Sequence, residues 1–304
     1  METLRTLTYE RTDRIARITL NRPSRGNGIT LDMPIELSAC VERANLDPAV
    51  HVIALSGNGT GFCGGYDLVE SAEGMLGERP PRPGAEGSPL DPMVQMRNHM
   101  PGSAWDPTID YAMMSRNVRG FMSLFHGEKP VVCKVHGFCV AGGTDMALCS
   151  DLLVIAEDAK IGYPPARVWG VPTTALWAYR IGLERAKRLL FTGDCLSGKE
   201  AAEWGLATES APLEHLDERF EILLGRIARM PVNQLILMKL LLNQTVASQG
   251  LAPTQILGTV FDGIARHTAE GYAFQARAAE VGFKEAVRER DSPFGDFGKS
   301  TFKG

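Results

Sequence analysis

Apolar and polar positions alternate through residues 4–10 and 15–20, on either side of a polar step at Arg11-Thr12-Asp13-Arg14. A period of two puts every second side chain on one face, so this pattern predicts a hairpin. Residues 21–28 read as a loop. Ile35, Leu37, Ala39 and Val41 then carry a helix toward Leu46, capped by Thr30 or Asp32 and ended by Asp47-Pro48. Three short runs, at 51–56, 131–135 and 152–156, are apolar on both faces. Such strands are buried on both sides, and with helical periodicity at 109–125 and 142–149 between them they predict an α/β fold of parallel strands covered by helices. After Val171 the pattern is helical, at 173–181, 183–192, 198–205, 216–229, 233–248, 254–266 and 270–290. The chain therefore divides into a core at 1–210 and a helical region at 211–304. Residues 71–108 break the rhythm with clustered proline and glycine. A loop that long is an inserted flap, either covering a site or tolerated as an insertion, and Trp105 with Met93, Met96 and Met100 favours a packed cover.

Composition narrows the class. The chain has 304 residues, 44% hydrophobic and 22% charged, enough for a buried core. With 32 Lys and Arg against 36 Asp and Glu, the net charge of -4 offers no footprint for a polyanion, so nucleic acid is not an expected partner. No uncharged apolar run approaches the ~18 residues of a membrane span. The charged opening residues lack the apolar stretch of a secretory signal, and a cytoplasmic location is expected. Six cysteines without a CxxC pair predict free buried thiols and no metal site.

Two places join a buried strand to a glycine-rich turn: Gly61-Phe62-Cys63-Gly64-Gly65-Tyr66-Asp67, and Gly137 through Ala141-Gly142-Gly143-Thr144-Asp145. Glycine permits close backbone approach and positive φ, and such turns free N–H groups that can be aimed at an oxygen. Neither turn is a phosphate loop with Gly-Lys-Ser/Thr, nor a three-glycine dinucleotide fingerprint. Singly, each is consistent with nothing more than a tight turn.

In order and spacing these turns, with Leu20-Asn21-Arg22-Pro23, Val52 through Gly57, Lys129-Pro130-Val131-Val132, Gly162-Tyr163-Pro164, Gly170-Val171-Pro172, Leu190-Phe191-Thr192-Gly193 and Ala201 through Leu206, resemble the enoyl-CoA hydratase/isomerase (crotonase) family. The resemblance covers about residues 5–210 and implies a crotonase-like ββα spiral core with a C-terminal helical trimerisation region. It further implies an acyl-CoA thioester substrate, with coenzyme A as part of that substrate and no permanently bound cofactor. A homotrimer or dimer of trimers is expected. By the same resemblance the backbone N–H groups of Tyr66 and Gly142 form an oxyanion hole for the thioester carbonyl. Donors placed in advance around a developing enolate lower its barrier, each by ~3 kcal/mol.

The acid–base positions depart from the hydratase pattern of two glutamates. The first is Asp145, the second falls on Pro165, which transfers no proton, and a third used by some relatives falls on Thr173. Asp145 has two readings, a general acid or base and a helix-terminal aspartate bonded to free amides. Tyr163, His136, Asp106, Asp110 and His99 are candidates to replace the missing group, His136 reading also as structural and the flap residues as solvated. Arg22 and Arg25 are candidates for the coenzyme A phosphates, and the backbone at Cys63, Gly64, Tyr66 and Asp67 for its adenine end. Two functions follow: an enzyme of the hydratase or isomerase type working through an enolate, with one-base isomerisation favoured by the missing acid, or a CoA-ester binder without catalysis.

Overall fold

The N-terminal hairpin forms one edge of a seven-stranded sheet in the computed structural model, which describes residues 1–75 and 83–295. The strands are β1 (Glu2–Thr3), β2 (Leu7–Thr12), β3 (Ile15–Leu20), β4 (Val52–Gly57), β5 (Val131–Val135), β6 (Phe138–Val140), β7 (Leu152–Ala156), β8 (Lys160–Gly162), β9 (Cys195–Ser197) and β10 (Glu209–Ala211). The large sheet runs β1-β2-β3-β4-β5-β7-β10, antiparallel through β3 and parallel from β3 onward. In β2–β3, Leu7 lies opposite Leu20 and Thr12 opposite Ile15, so the turn is shorter than the sequence pattern suggests. Asp13 takes it at φ 52°, a left-handed conformation that aspartate tolerates. The parallel strands are buried on both faces, as their unbroken apolar runs demand.

A second sheet, β6-β8-β9, was not anticipated, because strands of three residues carry no measurable period. It sets the path of the second glycine turn, which leaves β6 and enters a short helix before β7.

The helices are α1 (Met33–Leu46), α2 (Leu68–Met75), α3 (Pro92–His99), α4 (Pro107–His126), α5 (Gly142–Leu148), α6 (Trp177–Ile181), α7 (Leu183–Thr192), α8 (Gly198–Glu203), α9 (Leu213–Ala228), α10 (Val232–Ala247), α11 (Leu251–Arg266), α12 (Ala269–Val281) and α13 (Phe283–Asp291). Two sequence expectations are corrected here. Residues 270–290 are two helices, because Gly282 at φ 83° breaks the run. Residues 173–176 are a turn, with Ala175 at φ 56°, and the helix begins only at Trp177. The flap is not plain loop either: α3 begins where the Asp91 carboxylate accepts the Met93 N–H, and Pro92 fits the first helical turn. Part of the flap, 76–82, lies outside the described residues.

The main core cluster among the described residues runs from Leu7 to Leu251, with Phe62, Phe121 and Trp177 among its largest fully buried side chains, and a smaller cluster of Phe274, Ala278 and Ala286 joins α12 to α13. The later helices are tied to it through polar contacts. On α10 the buried Lys239 ammonium meets Asp151 at 2.9 Å and donates to the carbonyls of Leu124 and Lys129. Removing one partner of such a buried pair strands the other charge, so the contact fixes where α10 lies. Among the described residues no helix is long and apolar enough to cross a membrane.

Candidate active site

The two glycine turns are adjacent. Cys63 and Cys139 form a parallel bridge, the Phe62 N–H donates to the Phe138 carbonyl at 2.9 Å, and the Val140 N–H to the Cys63 carbonyl at 3.0 Å. Both chains then bend sharply, Gly65 at φ 96° and Ala141 at φ 57°, ψ −129°. That second conformation is costly for a residue with a Cβ and persists only where its surroundings enforce it. A Cβ added to Gly65 would stand 2.7 Å from the Ala141 Cβ and 3.5 Å from the Gly142 nitrogen. One added to Gly143 would stand 2.5 Å from the Cys63 carbonyl oxygen. Main chain thus packs on main chain, as glycine alone permits. Neither the Tyr66 nor the Gly142 N–H donates to another described residue, although Asp67 N–H beside them bonds the Ile29 carbonyl at 3.0 Å.

Asp145 lies in the first turn of α5 and is 1% exposed. The Thr174 hydroxyl donates to its Oδ1 at 3.0 Å and the Thr173 N–H lies close enough to lower its carboxyl, while Oδ2 has no partner among the described residues. Burial pushes its carboxyl up to about 7; the two threonines pull it down and Asp262 adds to the rise. The neighbouring Thr144 has the structural role, its hydroxyl within 2.7 Å of the Cys139 carbonyl. Arg180 closes the other end of α5, donating to the carbonyl of Leu148 at 2.7 Å.

Other candidates divide. The Tyr66 hydroxyl is buried without a hydrogen bond, beside Asn117. Tyr163 is committed, its hydroxyl donating to the Val171 carbonyl at 3.0 Å, and His136 Nε2 sits 2.9 Å from the Gly59 carbonyl. Pro165 occupies a 3-10 turn and packs against Gly170. Thr173 is buried beside Asp145, with its hydroxyl unpartnered. Arg22 is engaged within the fold, 2.9 Å from Asp67 and 2.6 Å from Glu70, whereas Arg25 is exposed. Cys63 is fully buried, its thiol toward the Asn27 carbonyl and its backbone bonded to Phe138 and Val140, while Gly64 beside it is exposed.

The solvated reading of Asp110 and His99 is overturned. Asp110 is 1% exposed and collects His99 Nε2 at 3.0 Å, Trp105 Nε1 at 2.8 Å, Asn98 Nδ2 at 3.1 Å and Arg266 at 3.5 Å. Burial alone would raise its carboxyl; His99, Arg266 and Trp105 outweigh that and hold it below the usual range. The cause is tertiary: α3 and α11 close over the start of α4. Asp106 does stay exposed, capping α4 by accepting the Thr108 N–H. His99, Asp110 and His267 bring their ligand atoms within 4.8 Å of one another. Both nitrogens of His267 face carbonyls, of Gly263 at 2.8 Å and Asn98 at 3.2 Å, and Arg266 already supplies positive charge, so the cluster is a hydrogen-bonded hub joining flap and core.

Sequence reasoning missed Thr174, Asn117, Asp262 and Arg266. Asp262, buried on α11, accepts the Val171 N–H at 3.4 Å and pairs with Arg266 at 3.1 Å. An i, i+4 acid–base pair on a helix was its only local signal, and that pattern usually marks a solvated face.

Comparison with known proteins fits this arrangement. The family model for enoyl-CoA hydratase/isomerase matches residues 10–83 and 105–276, parting at the flap. EchA13 of Mycobacterium tuberculosis is 31% identical over 80% of this chain and 75% of its own length. The 1,2-epoxyphenylacetyl-CoA isomerase of Escherichia coli is 26% identical over 82% of this chain and 83% of its own. A crystal structure of an enoyl-CoA hydratase from Mycobacterium smegmatis superposes with a TM-score of 0.91 at 58% identity, covering 98% of each chain. By fold and by sequence, the chain belongs to the enoyl-CoA hydratase/isomerase family.

Proposed function

We propose that this protein acts on acyl-CoA thioesters through an enolate, with the Tyr66 and Gly142 N–H groups directed at the thioester oxygen and Asp145 moving the α-proton. The observation that carries this reading is the contact between two glycine corners with unengaged amides, next to a buried carboxylate with one free oxygen. Ionised Asp145 takes the α-proton; the C–H electrons pass into the bond toward the carbonyl, and the oxygen takes the charge. Returning the proton completes exchange, and returning it to a different carbon shifts a double bond. Two backbone donors, each worth ~3 kcal/mol, lower the barrier to the enolate. The relatives act on CoA thioesters by name, both as hydratases and as an isomerase.

Coenzyme A arrives as part of the substrate, its adenine end against the backbone of Cys63, Gly64, Tyr66 and Asp67. Arg22 and Arg25 are the proposed phosphate contacts, Arg22 also meeting Asp67 and Glu70. Six buried cysteines with no disulfide among the described residues suit a reducing, cytoplasmic setting. In D2O the protein is expected to exchange the α-hydrogens of butyryl-CoA for deuterium, read by NMR at C2. Absence of that exchange together with no turnover of 2-enoyl- or 3-enoyl-CoA sinks the reading, and tight thioester binding in that case leaves a CoA-ester binder.

Self-association is proposed from the surface. Leu237, Leu241 and Leu242 on α10 and Leu257 on α11 are more than half exposed, and Phe261 on α11 is 49% exposed. Contiguous apolar area of that kind marks an interface. Light scattering should give three or six times the mass of one chain, falling for Leu241→Asp; a monomer at micromolar concentration contradicts this.

A further inference from the structure

We propose that Asp262 is a second acid–base group at the same centre, activating water where Pro165 leaves the second acid position empty. The proposal rests on the enolate reading above and adds hydration to it.

Both carboxylates are held by one tetrapeptide. The Val171 N–H donates to Asp262, while the Thr174 hydroxyl donates to Asp145. Three residues of extended chain span at most roughly 11 Å, so the two anchors are that close or closer. Helix α11 is seated directly on this segment: a Cβ on Gly258 would stand 3.2 Å from the Pro172 carbonyl oxygen. The charges of both aspartates help raise the buried Tyr66 and Tyr163 hydroxyls, so both rings lie near the pair.

The groups facing Asp262 come from several elements. On its own helix Arg266 meets it at 3.1 Å and reaches Asp110 of α4 at 3.5 Å; His99 of α3 sits beyond, on the far side of Asp110. Asp110 is supplied with donors from His99, Trp105 and Asn98, which leaves the Arg266 charge to support an ionised Asp262. The two aspartates are thereby differentiated. Burial raises both carboxyls; at Asp145, with no cation in contact, it does so up to about 7, whereas at Asp262 the Arg266 guanidinium offsets part of the rise and makes it the better resting base.

Hydration follows with its atoms balanced. Asp262 accepts one proton of a water molecule as the water oxygen bonds to the β-carbon. The π electrons move into the bond toward the carbonyl, giving the enolate, and protonated Asp145 delivers its proton to the α-carbon. The product is a 3-hydroxyacyl-CoA, and the proton left on Asp262 returns through solvent to Asp145. Exchange of α-hydrogens needs Asp145 alone.

That difference is the test. Wild type, Asp262→Asn and Asp145→Asn are compared for α-deuterium exchange of butyryl-CoA and for hydration of crotonyl-CoA. Asp262→Asn should keep exchange within ~threefold of wild type and lose hydration by ~100-fold or more, with binding of the thioester unchanged. Asp145→Asn should lose both. Hydration at the wild-type rate by Asp262→Asn overturns the proposal, as does loss of exchange and hydration in equal measure. Wild type that exchanges but does not hydrate also overturns it while leaving the enolate reading in place, whereas wild type that does neither removes that reading first. Because Asn at 262 strands Arg266, the pair Asp262→Asn with Arg266→Gln, checked for fold by circular dichroism, gives the same comparison without the orphaned charge. Asp262→Glu, which restores a carboxylate, should recover part of the hydration and none if the residue only supports the fold.

Discussion

Asp145→Asn is expected to lose α-proton exchange by ~10²–10⁴-fold, the usual worth of a placed general base, and to unfold less readily than wild type above pH 7. The kinetic half follows from the free Oδ2, which an amide replaces with a group that accepts no proton. Thioester affinity should change little, since Asn keeps an oxygen for the Thr174 donor. In wild type the same ionisation sets the pH profile: exchange on the free enzyme should rise as pH passes about 7, where Asp145 loses its proton, and fall away below it. The stability half runs the opposite way. Burial raises the folded carboxyl from 3.8 to about 7, so the folded state holds this proton more tightly than the unfolded chain. Between those values stability therefore decreases as pH rises, and it levels off above about 7. At ~1.4 kcal/mol per pH unit, the ionised form costs up to ~4 kcal/mol, which Asn does not incur. Urea melts at pH 5 and pH 8 measure this: the variant should gain on wild type at the higher pH, and equal melts with unchanged exchange would remove Asp145 from the chemistry.

A buried carboxylate raised by its surroundings is a candidate for a site, and the sequence exposed only part of the candidate site built around it. Strands Val131–Val135 and Leu152–Ala156 are legible to the residue because each is a continuous apolar run with abrupt polar or proline boundaries. The glycine corners are legible because close backbone approach leaves no other residue available, and Asp145 is legible through its distance from them. What stays hidden is made by packing between distant segments. Thr174 looks like any polar residue until the turn at Ala175 sets it against a carboxylate 29 positions earlier. Asp110 looks solvated because it follows directly on the Pro- and Gly-rich flap, and its partners Arg266 and His267 arrive from the far end of the chain. Asp262 carries the same lesson: beside Arg266 on a helix it looks like a surface pair, and only the seating of α11 on residues 171–174 buries it.

Gly143→Ala should be the most damaging small substitution in the molecule for catalysis. A Cβ there would meet the Cys63 carbonyl oxygen at 2.5 Å and the Cys63 Cβ at 2.8 Å, both well inside contact distance and neither on a flexible side-chain end. The two corners must separate by several tenths of an ångström, which moves the Gly142 N–H relative to the Tyr66 N–H. Donors to a developing oxyanion act over a window of about 2.7–3.1 Å, and losing one costs ~10²–10³-fold in rate. Exchange of butyryl-CoA should fall by that factor, with a stability loss of ~1–3 kcal/mol from overpacking. Gly225→Ala is the control, since nothing lies within 4 Å of its Cβ position inside α9, and it should gain ~1 kcal/mol of helix stability with exchange intact. Exchange by Gly143→Ala at the rate of the control would mean that the closeness of the two corners serves packing alone, and the enolate would then need its donors elsewhere.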